Sequence, residues 1–352
     1  MRCVNVFNKS QMDDATSSVD MRHLPTLSAD AHDDALLLQA RRMREDFWGN
    51  NVFLRGIVEF SNYCRQNCLY CGLRRDNKNL KRYRLGPDEI FQAAAMVKSL
   101  GIGTVVLQSG EDTEYSGSDV ARLVEKIKNS LGLAVTLSLG EREKADYAMW
   151  KNAGADRYLL KAETFSETRH NNLRPGAGLA RRLESLRHLA VLDYECGSGI
   201  IGGLPGETPE TLAFDLEQLA ALKMDMISIS PFTPHPDTPL RNHPPCGVDE
   251  TLRMMAFARL MTPSAHIPVT SALGLHGDAT RLRGLAIGDV LMHSFTPAEV
   301  RADYFIYPGK NTGTEAPAER TQTIINMLVR HGFSLPGGPG GAWRRQRNGS
   351  NA

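Results

Sequence analysis

The alternation of apolar and polar positions divides the chain into three parts. From Met1 to about Ser28 the residues are polar, in part acidic, and without period, so this stretch is expected to be disordered. Over residues 29–50 the apolar residues Ala35, Leu36, Leu38, Met43 and Phe47 fall along one helical stripe, which predicts a helical extension packed on the main body. After Gly49 the pattern changes to short β-rich apolar runs separated by helical ones. The strand candidates are Val52–Phe60, Thr104–Gln108, Ala134–Leu139, Arg157–Ala162, Tyr194–Ile201, Met226–Pro231, Ile267–Ala272 and Asp289–His293. The helix candidates are Pro87–Leu100, Ser118–Ser130, Glu141–Ala153, Gly178–Leu192, Pro209–Leu222, Val248–Met261 and Asp278–Ala286. About eight βα repeats predict an α/β fold, a TIM-type (βα)8 barrel over residues 51–310. An open doubly wound sheet is the alternative. Pro297 to Tyr307 reads as a helix ended by Pro308-Gly309, and Thr321 to Arg330 as a final helix within residues 311–335. Residues 336–352, Pro/Gly-rich and then basic at Arg344-Arg345, read as a flexible tail.

Charge removes some classes of function. Lys+Arg 41 against Asp+Glu 40 leaves +1, which argues against a nucleic-acid or membrane-surface role driven by bulk charge. No apolar run is long enough to span a bilayer, and Met1–Lys9 lacks the apolar core of a secretory signal, so a reducing cytoplasm is expected. In that setting clustered thiols read as metal or catalytic ligands, not disulfides.

Three of the six cysteines fall within eight residues: Cys64, Cys68 and Cys71, at the spacing Cys-x3-Cys-x2-Cys, with Tyr70 before the last. A loop so spaced can wrap three corners of a cubane iron–sulfur cluster, which normally takes four thiolates. With no fourth cysteine nearby, one iron stays open for a substrate or cofactor. A structural zinc site, which would need a fourth protein ligand, and three unrelated buried thiols are the alternatives. Cys3, Cys196 and Cys246 are isolated and read as ordinary thiols.

In a βα barrel the chemistry sits at the C-terminal ends of the strands, and the cysteine loop follows the first strand. The second strand ends in Gln108-Ser109-Gly110-Glu111-Asp112, a small turn that lets backbone approach a ligand, with carboxylates that could accept from an ammonium group. An ordinary polar loop is the plainer reading. Thr136 and Ser138 on the third strand present hydroxyls to the barrel, where unbonded hydroxyls are costly. Lys161 and Glu163 share a face at period two, and charges pointing inward need partners. Arg182 is a candidate partner for Glu163; alternatively both grip a zwitterionic ligand. Gly197-Ser198-Gly199-Ile200-Ile201-Gly202 matches a dinucleotide fingerprint in form only, since it lies within a strand. His235, in a proline-rich loop, reads as a turn former.

Together these motifs resemble a known family. The cysteine loop with Tyr70 resembles the radical S-adenosylmethionine (SAM) superfamily. The run Cys68 to Asn77, continuing through Asn79 to Arg84, resembles one branch of it, the HydE family of FeFe-hydrogenase maturases. Further matches are Val106 to Asp112, Ala134 to Glu141, Gly154 to Leu160, Gly203 to Gly206, Pro234 to Leu240 and Tyr307 to Lys310. The resemblance implies a barrel whose 4Fe-4S cluster, held by Cys64, Cys68 and Cys71, binds SAM and reduces it to a 5′-deoxyadenosyl radical. It implies an organometallic substrate, an iron carrying CO, cyanide and cysteine. It implies as partners the maturases HydG and HydF and a reducing flavodoxin or ferredoxin, with the chain itself a monomer. On the SAM side it places Tyr70, Gln108, Ser109, Gly110, Glu111, Ser138, Glu163, Arg182, Ile201, Met226 and Tyr304. On the substrate side it places Thr136, Lys161, Thr270 and Ser271.

Three departures stand out. No cysteine follows Cys246, so the second, surface cluster of some relatives is not expected. Lys161-Ala162 stands where the family usually has Arg-His, and lysine lacks the planar guanidinium fork. Val269-Thr270-Ser271 replaces a common paired threonine. Methylornithine synthase and biotin-synthase-like enzymes are the nearest alternatives, and an electron-transfer or metal-carrier protein is the non-enzyme one.

Overall fold

The computed structural model describes residues 32–343 and 345, so the expected disorder of Met1–Ser28 lies outside them. Eight strands form one sheet: β1 (Phe53–Ser61), β2 (Thr104–Ser109), β3 (Ala134–Ser138), β4 (Arg157–Leu159), β5 (Glu195–Gly202), β6 (Met226–Pro231), β7 (Pro268–Val269) and β8 (Val290–Ser294). Their spatial order is β6-β5-β4-β3-β2-β1-β8-β7, and every recorded pairing is parallel. The order runs round in sequence without the reversal of a doubly wound sheet. One bridge, Met226 to His266, with Ile227 N donating to His266 O at 2.8 Å, nearly closes the ring.

Twelve helices surround or flank the sheet: α1 (His32–Trp48), α2 (Pro87–Ser99), α3 (Gly117–Leu131), α4 (Lys144–Asn152), α5 (Glu167–Leu173), α6 (Leu179–Val191), α7 (Pro209–Ala221), α8 (Val248–Met261), α9 (Ser271–Gly274), α10 (Asp278–Leu285), α11 (Ala298–Arg301) and α12 (Pro317–Arg330). Local chemistry sets several of their ends. Ser116 accepts from Asp119 N while the Asp119 carboxylate accepts from Ser116 N, and Gly132 ends α3 at φ 62°. Each wall helix buries an apolar stripe, as α3 does with Val120, Leu123, Val124 and Ile127. Among the described residues no helix is long and apolar enough to cross a membrane.

The N-terminal helix is present and packs on α8. It also supports the lower mouth of the barrel, where Trp48 stacks on His266 with ring centroids 4.2 Å apart.

Four local features differ from expectation. The strand Arg157–Ala162 stops at Leu159; beyond it Ala162 N donates to Ser198 Oγ at 3.2 Å, and Glu163 takes a left-handed φ of 68°. The seventh strand stops at Val269, and Thr270 caps the short helix α9 instead of extending the strand. The helix expected over Pro297–Tyr307 survives only as Ala298–Arg301, since the segment beyond turns to offer backbone to the cysteine loop, with Gly72 N donating to Ile306 O at 3.0 Å. Helix α5, polar throughout as Glu-Thr-Arg-His-Asn-Asn-Leu, had no apolar stripe to announce it.

The Pro/Gly-rich tail is not free where it is described. Arg55 and Arg157 are buried in the lower barrel and use tail carbonyls as acceptors: Arg55 Nη2 donates to Gly340 O at 3.3 Å and Arg157 Nη2 to Pro339 O at 3.0 Å. Thr104 Oγ1 also donates to Pro339 O, at 2.7 Å. Burial and the neighbouring Arg157 lower the Arg55 pKa to about 9. Deleting residues 336–352 is therefore expected to cost about 2–4 kcal/mol, the range for leaving buried charged donors short of partners. Urea denaturation checks this; unchanged stability would show that the tail is not a structural plug.

Candidate active site

The cysteine loop is tied down on three sides. Arg65 N donates to Glu111 O at 3.0 Å, Leu69 N to Leu173 O at 2.9 Å, and Arg75 N to Gln66 O at 2.8 Å. Arg82 spans the base of the loop, its guanidinium donating to the carbonyls of Asn62, Leu73, Arg74 and Asn77. Two glycines permit the close approach. A Cβ on Gly110 would stand 2.2 Å from Tyr63 O, and one on Gly72 would stand 2.1 Å from Phe305 O. Gly110 therefore admits the cysteine loop itself, where a ligand had been expected. His235 forms its turn as expected, accepting at Nδ1 from Asp237 N, and is buried behind Gly72.

A cavity of about 320 Å³ opens at the C-terminal end of the barrel. Cys64, Cys68, Tyr70 and Cys71 form one wall. Gln108, Ser109, Gly110, Glu111, Ser138, Glu163, Arg182, Ile201 and Tyr304 line it, as do Lys161, Thr270 and Ser271. Two expected site residues do not reach it. Thr136 is one step below Ser138 on the same strand face, buried, and its hydroxyl has no partner. Met226 lies at the lower end of β6, where its sulfur is 3.3 Å from Arg55 Nη1.

The expected Glu163–Arg182 pair is not formed. Glu163 lies 3.1 Å from Lys161 Nζ, which also reaches Ser230 Oγ at 3.1 Å. Arg182 instead faces Glu141 at 2.7 Å and Glu111 at 3.4 Å. Arg174, just beyond α5, shares the same carboxylates at 3.4 and 3.8 Å. The carboxylate of Glu111 is thus occupied by Arg65, Arg174 and Arg182, while Asp112 is held by Arg84 and Ser61. The carboxylates expected to accept from an ammonium group are already paired with arginines in this structure. Burial, and the like charge of Glu111, raise the Glu141 pKa against the arginines that oppose the rise.

Sequence reasoning gave no role to Arg174, Tyr307, Lys310 or Glu59. Arg174 follows a helix with no periodic signal. Lys310 and Tyr307 were visible only as the motif Tyr307-Pro308-Gly309-Lys310. In the structure Lys310 Nζ is 3.1 Å from the fully buried Glu59 and 3.3 Å from Ser271 Oγ, which meets Tyr307 OH at 2.6 Å. Glu59 also accepts from Asn311, Ser294 and Thr296.

The residues present fit an iron–sulfur cluster and a zwitterionic cosubstrate. Burial pushes the Cys64 thiol up to about 11, the neighbouring Cys68 adding to the rise, and burial likewise raises Cys68 and Cys71. A bound cation favours the thiolates against that penalty. No three Cys, His, Asp or Glu side chains among the described residues converge on a single ion. A cubane asks for something different, since each thiolate takes its own iron. Beside the thiols, Arg174 Nε is buried without a partner, while Glu163 Oε2 lies 3.1 Å from Lys161 Nζ and Arg182 Nε 2.7 Å from Glu141, and all three residues line the cavity. One unpartnered buried donor beside a carboxylate and a second guanidinium suits a ligand carrying both ammonium and carboxylate.

A near-closed parallel barrel with a three-thiolate loop on its rim defines the radical SAM class, and the Radical SAM superfamily model matches residues 58–215. The [FeFe] hydrogenase maturase subunit HydE of Thermotoga maritima is 47% identical over 84% of this chain and 85% of its own. The chain belongs to the HydE family of radical SAM proteins and uses a 4Fe-4S cluster and SAM. Among solved structures, methylornithine synthase (PylB) superposes with a TM-score of 0.77 at 26% identity, over 90% of this chain and 93% of that one. The maturase HydG from Carboxydothermus hydrogenoformans gives a TM-score of 0.78 at 20% identity, over 90% and 75%, which shows a common fold.

Burial alone would raise the Glu59 pKa, but Lys310 and three side-chain hydrogen bonds bring it below the ordinary carboxylate value of 4.5. A depressed folded pKa stabilises the protein above the unfolded value, and that contribution is lost as pH falls through the folded one. Glu59→Gln is expected to flatten this acid limb of the stability profile. It should also cost about 3–5 kcal/mol at neutral pH by stranding the buried ammonium. Urea melts of both proteins at pH 3 to 7 measure both effects; parallel profiles would refute the coupling.

Proposed function

We propose that this chain is a SAM-cleaving maturase that converts an organometallic iron precursor, iron carrying CO, cyanide and cysteine, towards the two-iron subcluster of FeFe-hydrogenase. One observation carries the reading. In a chain 47% identical to a HydE over 84% of its length, the three thiols, Glu163 and Arg182 line one end of a cavity whose other end is lined with hydroxyls.

When bound, the reduced cluster supplies one electron that breaks a C–S bond of SAM and releases a 5′-deoxyadenosyl radical. The protein's own part is positioning and exclusion. Cys64, Cys68 and Cys71 hold three irons. Glu163 accepts from the polar groups of SAM, and its left-handed backbone is kept in place by Glu163 N donating to Gly199 O and Glu163 O accepting from Ile201 N, each at 3.0 Å. Arg182, set by Glu141 and Glu111, faces the carboxylate of SAM. The ring of Tyr70, half-buried beside the thiols, and the side chain of Ile201 shape the nucleoside end. Thr270, Ser271 and Tyr307 offer hydroxyls to the precursor's polar ligands, and Lys161 offers an ammonium where relatives offer a guanidinium. The enclosing barrel keeps bulk water from the radical. Companion maturases of the HydG and HydF kind would supply the precursor and take the product.

The test is rescue of hydrogen evolution in anaerobic cells that have the hydrogenase and its other maturases but lack this activity. The wild-type chain should restore it and Cys68→Ser should not. Lys161→Ala should keep SAM cleavage with a chemical reductant while lowering rescue at least tenfold. A soluble, SAM-cleaving protein that gives no rescue even with the maturases of its own source would reject the reading and favour a small-molecule enzyme of the methylornithine synthase kind.

A further inference from the structure

The chain is nearly neutral overall, yet six of the eleven residues from Arg74 to Arg84 are Lys or Arg against one acid, Asp76. The structure divides these cations into two sets. Arg82 is committed to backbone carbonyls and Arg84 to the buried carboxylate of Asp112, at 2.7 and 3.0 Å, with its guanidinium over the Tyr63 ring. These two shape the loop. Arg75, Lys78 and Lys81 are exposed, and Lys78 shares a groove with Arg241 of the neighbouring proline-rich loop. Arg75 pairs only with its sequence neighbour Asp76, and Lys81 reaches Asp303 at 3.3 Å with its side chain 74% exposed. The carboxylates of Asp76 and Asp303 offset part of this positive charge. Lys78 and Arg241 make no ion pair among the described residues.

Position gives this patch its meaning. Arg75 N donates to Gln66 O, and Asp76 N to Asn67 Oδ1 at 3.3 Å, so the basic segment lies directly against the outer side of the residues between Cys64 and Cys68. A groove between this segment and the 236–241 loop is lined by Arg74, Asp76, Asn77, Lys78, Asp237 and Arg241. The substrate cavity shares no lining residue with this groove. A partner seated on the basic face would therefore approach the cluster without covering the cavity.

We infer that the surface formed by Arg75, Lys78, Lys81 and Arg241 is the docking site for an acidic one-electron carrier protein. This rests on the reading of the thiol loop as a cluster site. In the step it serves, one electron leaves the reduced carrier and enters the cluster, and no bond is made or broken. Complementary charge raises the encounter rate and sets orientation, and both effects weaken as salt screens them.

The experiment measures binding of a flavodoxin of net negative charge by calorimetry at low and high ionic strength, with and without the reconstituted cluster. The wild type is compared with Lys78→Glu/Arg241→Glu and with a control of equal charge change, Lys126→Glu/Arg187→Glu, on the outer faces of α3 and α6. The inference expects the patch variant to bind at least tenfold more weakly at low salt, and the control to bind as the wild type does. Wild-type affinity should fall at least tenfold from low to high salt. Undiminished binding by the patch variant, or equal losses in patch variant and control, would overturn it. SAM cleavage driven by titanium(III) citrate needs no docking and reports separately on the functional reading; it should match the wild type in both variants.

Discussion

A loop bearing three thiols can hold a metal cluster only if its backbone keeps one shape, and here that shape depends on a single half-buried guanidinium. Arg82 donates to carbonyls from both ends of the segment, Asn62 before the cysteines and Leu73, Arg74 and Asn77 after them. An arginine can do this where lysine could not, because its donors are fixed in one plane and point in several directions at once. With the base closed, the remaining anchors come from three other rim loops: the β2 loop through Glu111 O, the end of α5 through Leu173 O, and the segment after α11 through Ile306 O. The barrel's first, second, fourth and eighth βα loops are thereby joined at the thiols.

That arrangement also sets the electrostatics of the cavity. Buried carboxylates and guanidinium groups stand around the cluster wall as an interlinked set, Glu111 and Glu141 against Arg65, Arg174 and Arg182. Each charge is compensated by a neighbour, which limits the cost of burying them without sealing off the cavity. The unpartnered Nε of Arg174, with the cavity-lining Glu163 and Arg182, gives the site its recognition chemistry.

Much of this was legible in the residues. The period-two and period-3.6 runs located all eight strands and most wall helices, because apolar alternation is a direct record of which face is buried. The cysteine spacing and strand ends found the cavity wall, since side chains at strand ends converge by geometry alone. Pairing was harder to read. Glu163 and Arg182 are both at the cavity, yet each bonds elsewhere, because helix α5 and the left-handed turn at Glu163 reposition them and neither leaves a periodic trace. Lys310 escaped for a similar reason, as its partner Glu59 lies 251 positions earlier in the chain. The tail was misread because a Pro/Gly composition describes the unfolded chain's freedom and says nothing of buried arginines in need of carbonyl acceptors.

The claim at the centre of this account is that the three thiols hold a cluster with one iron open to SAM. Anaerobic reconstitution followed by iron and sulfide analysis, with electron paramagnetic resonance of the reduced protein before and after adding SAM, addresses it directly. The account predicts about four irons per chain, the composition of a cubane cluster, a signal that changes when SAM binds, and 5′-deoxyadenosine among the products. A chain that holds a single metal ion, or a cluster whose signal is indifferent to SAM, would contradict it.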